Sequence, residues 1–225
     1  MQQTALNAIA IGVFLMTLTS LLGPMFNLSP VIPAIATFTI LGFATLDSFT
    51  WQGKGGTILL EWLAGVDPKR RDRIVRHEAG HFLVAYLFDI PITGYALSAW
   101  EALRQGQPGQ GGVAFAPLEL TSPIPAVVIE RFSTVLMAGI AAETLVYGSA
   151  LGGDDDRQQL RTVLTALGRR QNESLQQERF STLQATTLIK QQWAAYEALV
   201  TAMQQRASVE ECSAVIEQQR LISEG

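Results

Sequence analysis

The sequence predicts a mainly α-helical chain with one small β-sheet, in which an N-terminal transmembrane helical hairpin leads into a helical globular domain. Three observations carry this expectation. The first charged residue is Asp47, so the N-terminal forty-six positions hold no acid or base. After residue 66, apolar residues recur at helical spacing over long stretches. Only two short runs, near 92–97 and 113–116, have the turn-bounded apolar character of strands.

Residues 1–47 read as a membrane anchor. Ala5–Leu22 is an apolar run that would extend about 27 Å as a helix, and Val31–Leu46 a shorter one of about 24 Å. Gly23-Pro24 and Asn27-Leu28-Ser29-Pro30 separate them as a tight turn. Pro33 and the shorter length leave a re-entrant or interfacial second segment as the alternative to a second span. Met1-Gln2-Gln3-Thr4 lacks the basic start of a cleavable signal peptide. Residues 48–66 read as a juxtamembrane connector loosened by Gly53, Gly55 and Gly56, with Trp51 and Trp62 as interfacial anchors or core residues. Residues 67–225 are long enough for one domain with its own core.

That domain opens on a helix over 67–88, with Asp67 able to cap it, Pro68 at its first position and Phe82, Leu83, Val84, Tyr86, Leu87 and Phe88 to bury. It carries both histidines of the chain, in His77-Glu78-Ala79-Gly80-His81. Positions i and i+4 share a helix face, so both imidazoles can reach one metal ion, with Glu78 beside them as a general base. Such a hydrolytic centre needs one more ligand from elsewhere. Two histidines on an ordinary helix are the plain alternative. Gly80 costs about 0.5–1 kcal/mol relative to alanine inside a helix, which close approach of a backbone or a substrate would explain.

Lys69, Arg70, Arg71, Arg73 and Arg76 crowd the first turns of this helix, where its dipole disfavours cations. An anionic membrane surface would favour them there, and the positive-inside rule then puts the domain on the cytoplasmic side. A plain solvated basic face is the other reading. The formal net charge of −4 speaks against nucleic acid as a partner. Cys212, the only cysteine, excludes an internal disulfide and a cysteine-rich zinc finger.

Pro91–Leu97 reads as a turn into a strand, Gln105–Gly112 as a loop, and Val113–Ala116 as a second strand stopped by Pro117. The pair would lie beside the metal helix, either as an edge that holds an extended peptide or as a structural hairpin. From Pro125 a helix runs to near Gly148, with Val128, Phe132, Val135, Gly139, Ala142 and Val146 along one side. Gly152-Gly153-Asp154-Asp155-Asp156 follows; its acids either cap the next helix or supply the missing ligand. Beyond it, Ile189, Trp193, Tyr196, Val200 and Met203 form a packing seam, for the core or for an oligomer, and Ser208-Val209-Glu210-Glu211 resembles a capping box.

Over about residues 67–220 the chain resembles the peptidase domain of FtsH-type membrane proteases. Arg76–His81 resembles that family's metal motif, Met137-Ala138-Gly139-Ile140-Ala141-Ala142-Glu143 its G-R-A-A-E segment, and Gly152–Asp156 its glycine-led loop ending in a ligand aspartate. The resemblance implies an α-helical, zincin-like peptidase domain of the aspartate type, with zinc on His77, His81 and Asp156 and with Glu78 catalytic. Asp155 is the nearest competitor to Asp156, and Glu143 would be the ligand of a glutamate zincin but takes a structural place by the resemblance. Ile140 stands where the family has arginine, and no Gly-x-x-x-x-Gly-Lys-Ser/Thr occurs.

The chain therefore looks like a membrane-anchored relative without the ATPase module, of the sort found in cyanobacteria and plastids. The resemblance implies a zinc metalloendopeptidase that cleaves unfolded or membrane-associated proteins. Its implied partners are protein or peptide substrates, membrane lipid, further copies of itself or a separate unfoldase. Its implied place is integral to a cyanobacterial plasma or thylakoid membrane, with the peptidase domain on the cytoplasmic or stromal side. The alternative is a weakly active or inactive scaffold or regulatory subunit of a membrane complex. A site-2-type intramembrane protease is opposed by the five basic residues ahead of His77.

Overall fold

The computed structural model describes residues 2–27, 29, 31–50, 68–106, 111–117 and 124–224, and the chain divides into two compact units, one holding the N-terminal helices and the other the described residues from 68 onward. In the first unit, α1 (Gln2–Leu22) is followed by a 3₁₀ turn (Gly23–Phe26) and α2 (Val31–Thr50). Thr17, Thr19, Thr37, Thr39 and Thr45 each donate a hydroxyl to the carbonyl four residues back, which absorbs these polar side chains into the helices.

The expected transmembrane hairpin is corrected. Both helices form, but among the described residues no helix is long and apolar enough to cross a membrane. A span needs about 20 predominantly apolar residues in succession. Gln2, Gln3, Thr4 and Asn7 enter α1, Thr17, Thr19 and Ser20 interrupt it, and α2 runs through Thr37, Thr39, Asp47 and Ser48. The expectation of an integral membrane location, with the domain on one side of a cyanobacterial membrane, falls with the spans it needed. The connector beyond Thr50, with Trp51 and Trp62, and the Asp67 cap lie outside the described residues.

The second unit is mostly helical with a two-stranded sheet. Its elements are α3 (Pro68–Leu87), β1 (Ile92–Ala96), α4 (Ala99–Arg104), β2 (Gly112–Phe115), α5 (Ala126–Tyr147), α6 (Asp154–Ala166), α7 (Gln171–Gln191), α8 (Trp193–Gln204) and α9 (Val209–Glu224). Local signals set several ends. Gly148 stops α5 in the left-handed region at φ 76°. Ser208 and Glu211 exchange side-chain and backbone hydrogen bonds of 2.7 and 3.2 Å, the capping box that starts α9. The strands pair antiparallel, with Tyr95 opposite Val113 and Ala96 opposite Gly112.

The centre of the unit is α5, buried continuously from Ser133 to Glu143 and packed against α3, α6 and α7. One core cluster joins Phe82 and Leu83 of α3 to Tyr196, Leu199 and Met203 of α8 and Ile216 of α9. Each such large apolar side chain contributes about 1.5–3 kcal/mol on burial. The buried Tyr196 hydroxyl donates to the Arg76 carbonyl at 2.9 Å, so no polar atom there is stranded. Trp193 departs from the expected seam: it is exposed and lies against the Tyr196 ring at 5.2 Å, because the chain turns at Gln192 and starts a new helix.

Two of the five cations at the start of α3 have an internal explanation. Arg73 pairs with Glu143 at 2.8 Å, and Arg76 pairs with Asp72 at 3.2 Å and Glu197 at 2.7 Å. Acids from α5 and α8 thus offset cations that the helix dipole disfavours.

Gly80 is where α3 and α5 touch. A Cβ there would come within 2.6 Å of the Ala138 carbonyl oxygen and 2.8 Å of the Ala142 Cβ. Gly80→Ala should therefore lower the thermal midpoint by an overpacking cost of about 1–3 kcal/mol, despite alanine's better helix propensity. Thermal unfolding followed by circular dichroism checks this, and an unchanged or raised midpoint would show that the helices do not meet this closely.

Candidate metal centre

His77 and His81 stand one turn apart on the α5-facing side of α3, with ring centroids 4.8 Å apart and ring planes at 71°. The wall opposite them is made of small residues. A Cβ at Gly139 would strike the His77 ring, so that position admits no side chain. Asp156 arrives from the first turn of α6, which begins after Gly153 at φ 92°. That left-handed conformation suits glycine, and a Cβ there would also run into Ile140. The α6 backbone is thereby seated against α5, with Asp156 turned toward the histidines.

The Asp156 carboxylate lies 3.1 Å from His77 Nε2 through Oδ2 and 3.6 Å from His81 Nε2 through Oδ1. The ligand atoms of His77, His81 and Asp156 all fall within 4.8 Å of one another, so this group could hold a metal ion. Asp154 and Asp155 are exposed instead, and Asp154 faces Arg157 at 3.5 Å. Successive helix residues point about 100° apart, so only one of the three acids can face inward here.

The far sides of both rings are held. His81 Nδ1 is 2.7 Å from the Val135 carbonyl oxygen, which can only accept, so Nδ1 carries the proton and donates. His77 Nδ1 donates likewise to Glu143 Oε1 at 2.9 Å. A neutral His81 then turns its Nε2 lone pair to the Asp156 carboxylate, and a neutral His77, with a carboxylate at each nitrogen, leaves one of them facing a lone pair, acceptor against acceptor. A positive species belongs between them, either protons or a metal ion, and two imidazoles with one carboxylate are a donor set suited to the latter.

The electrostatics agree. Burial lowers the affinity of His77 for protons, but the hydrogen bonds to Asp156 and Glu143 outweigh it and push its pKa up to about 10. Burial acts the same way on His81, where the Asp156 charge more than compensates and raises the value. Burial would raise Asp156, yet the His81 charge and the bonds to both rings hold it well below the usual carboxylate range.

Glu78 lies beside this group, under β2: a Cβ at Gly112 would sit 3.7 Å from Glu78 Oε2. Burial raises its carboxyl above the ordinary value, opposed by the His81 and His77 charges, supported by the Asp156 charge and opposed by the Val113 backbone N–H. Glu143 is not in the ligand group. It is 3 % exposed and accepts from His77, from Arg73 Nη1 at 2.8 Å and from the Leu151 and Gly152 N–H groups at 3.0 and 3.2 Å. The parts that sequence reasoning missed are Arg73, the Val135 carbonyl and the Gly139 notch. Arg73 had a usable signal, because it precedes His77 by four residues and so shares its helix face. A backbone carbonyl has none.

Glu143 sets an acid-dependent contribution to stability. Burial raises its pKa, but the His77 hydrogen bond, the Leu151 and Gly152 N–H groups and the His77 charge bring it from 4.5 down to about 2. A depressed folded value means stability that is complete above pH 4.5 and is lost as pH falls toward 2. Glu143→Gln should lower stability at neutral pH and flatten its decline across that acid window, as read by denaturant unfolding at each pH. A decline as steep as that of the wild type would show that Glu143 is not held as a carboxylate.

Compared with known proteins, the chain matches no family model and no curated protein.

Proposed function

We propose that this domain is a zinc-dependent metalloendopeptidase acting on unfolded or flexible protein chains. The observation that carries the reading is the Glu78 carboxylate placed beside the His77, His81 and Asp156 group and next to β2. A site that merely held a metal for structure would need no such group.

In this reading His77, His81 and Asp156 would hold zinc, with both Nε2 atoms turned toward the carboxylate. The bound ion supplies Lewis-acid polarisation of the scissile carbonyl and acidification of the attacking water. Glu78 takes the proton of that water and passes it to the leaving nitrogen, a role worth about 10²–10⁴ in rate. Its raised proton affinity suits a group that must both accept and return a proton. The β2 strand pairs only with β1 among the described residues, so its outer edge can receive an extended peptide by main-chain hydrogen bonds. Strand pairing demands an extended chain, which favours unfolded substrates. No Gly-x-x-x-x-Gly-Lys-Ser/Thr occurs in these 225 residues, so the reading assigns no nucleotide-driven unfolding to them.

Zinc content is the first measurement. The purified protein should hold about one zinc per protomer, lost in His77→Ala or His81→Ala, and Asp156→Ala should weaken binding far more than Asp155→Ala. A wild type that stays metal-free after zinc is offered removes the proposal, and the reverse aspartate ranking moves the third ligand.

Turnover is the second. Wild type should cleave casein without nucleotide and spare a tightly folded domain, while Glu78→Gln keeps zinc and fold but loses hydrolysis by orders of magnitude. Equal turnover by the zinc-loaded wild type and Glu78→Gln on several unfolded substrates would point instead to a scaffold with a peptidase-like site.

A further inference from the structure

Arg73 gathers contacts that no single structural need explains. It lies one turn before His77 on the same face of α3, and its Nη1 donates to Glu143 Oε2 at 2.8 Å and to the Ser149 carbonyl at 3.3 Å. Its guanidinium carbon lies 4.2 Å from the centre of the Tyr147 ring, at the end of α5. Ser149, Leu151 and Gly152 belong to the turn that leads into α6 and so delivers Asp156; Glu143 accepts from the last two of these and from His77. One guanidinium thus fastens the partner of the first histidine and the backbone leading to the aspartate.

We propose that Arg73 is a positioning residue for the metal centre, acting through Glu143 and the 149–152 turn to set the spacing of His77 and Asp156. This rests on reading His77, His81 and Asp156 as a metal site. A ligating imidazole is neutral, so it brings no counter-charge to Glu143, and Arg73 is the cation paired with that buried carboxylate. Its Nη1 serves two acceptors while its guanidinium carbon lies over an aromatic ring, a combination that the compact ammonium of a lysine does not reproduce.

Zinc affinity measured by competition with a chelator, together with the visible spectrum of the cobalt(II)-loaded protein, tests this without any activity assay. Arg73→Met should bind zinc about 10–100-fold more weakly, as loss of a partner behind a metal ligand does, and should shift the cobalt bands. Arg73→Lys should recover part of the affinity by restoring charge without the planar guanidinium over Tyr147. Arg76→Met, which removes the ion pairs to Glu197 and Asp72 but no contact to Glu143 or the 149–152 turn, should lower stability and leave affinity unchanged. Wild-type affinity in Arg73→Met, or an equal loss in Arg76→Met, overturns the inference while the metal site stands. Should Arg73→Met not fold, Arg73→Lys decides: a several-fold deficit supports the role and wild-type affinity overturns it. A wild type that binds neither zinc nor cobalt overturns the metal site and this inference together.

Discussion

The Glu143 carboxylate is the constraint on which the second unit's site depends. A charge with 3 % exposure costs several kcal/mol unless it is paired and hydrogen-bonded. Here Arg73, His77, Leu151 and Gly152 all donate to it. Those donors come from α3 and from the turn before α6, while the carboxylate itself sits on α5. Satisfying one buried charge therefore fixes the relative placement of three segments. The same contacts help to bring the His77 and Asp156 side chains within 3.1 Å of each other.

Steric exclusion supplies the second constraint. Gly80 lets α3 approach the α5 backbone at Ala138, Gly139 makes room for the His77 ring, and Gly153 accepts the Ile140 side chain. Close-packed interiors respond to a single added methylene, so these positions set distances as firmly as the hydrogen bonds do. Ile140 gains a meaning here. Its apolar side chain occupies the space where a Cβ at Gly153 would fall, against the start of α6, and helps to seat Asp156.

The site is then poised between a proton and a metal. With His81 Nδ1 committed as a donor to Val135 and the Asp156 carboxylate facing both Nε2 atoms, a proton or a metal ion between them offsets the carboxylate charge. Without a cation, His77 holds its proton up to about pH 10. A metal must displace that proton, so its binding is coupled to proton release and weakens as pH falls. The raised carboxyl of Glu78 belongs to the same crowded field of buried charge.

Local signals sufficed for much of this chain. The α3 helix and its two histidines on one face, the two strands, the glycine stop at 148 and the capping box at 208 follow from periodicity and turn chemistry, which act over a few residues. The helical character of the first fifty residues was legible for the same reason, whereas their expected crossing of a membrane was not met, since helix formation and sufficient apolar length are separate requirements. The place of Arg73 and Arg76, two of the five cations, was a tertiary matter: charge alone suggested an external anionic surface, and the fold turned these two toward its own acids. So was the choice among Asp154, Asp155 and Asp156. Three consecutive acids are equivalent to any local rule, and only the seating of α6 against α5, through Gly153 and Ile140, decides which one turns toward the histidines.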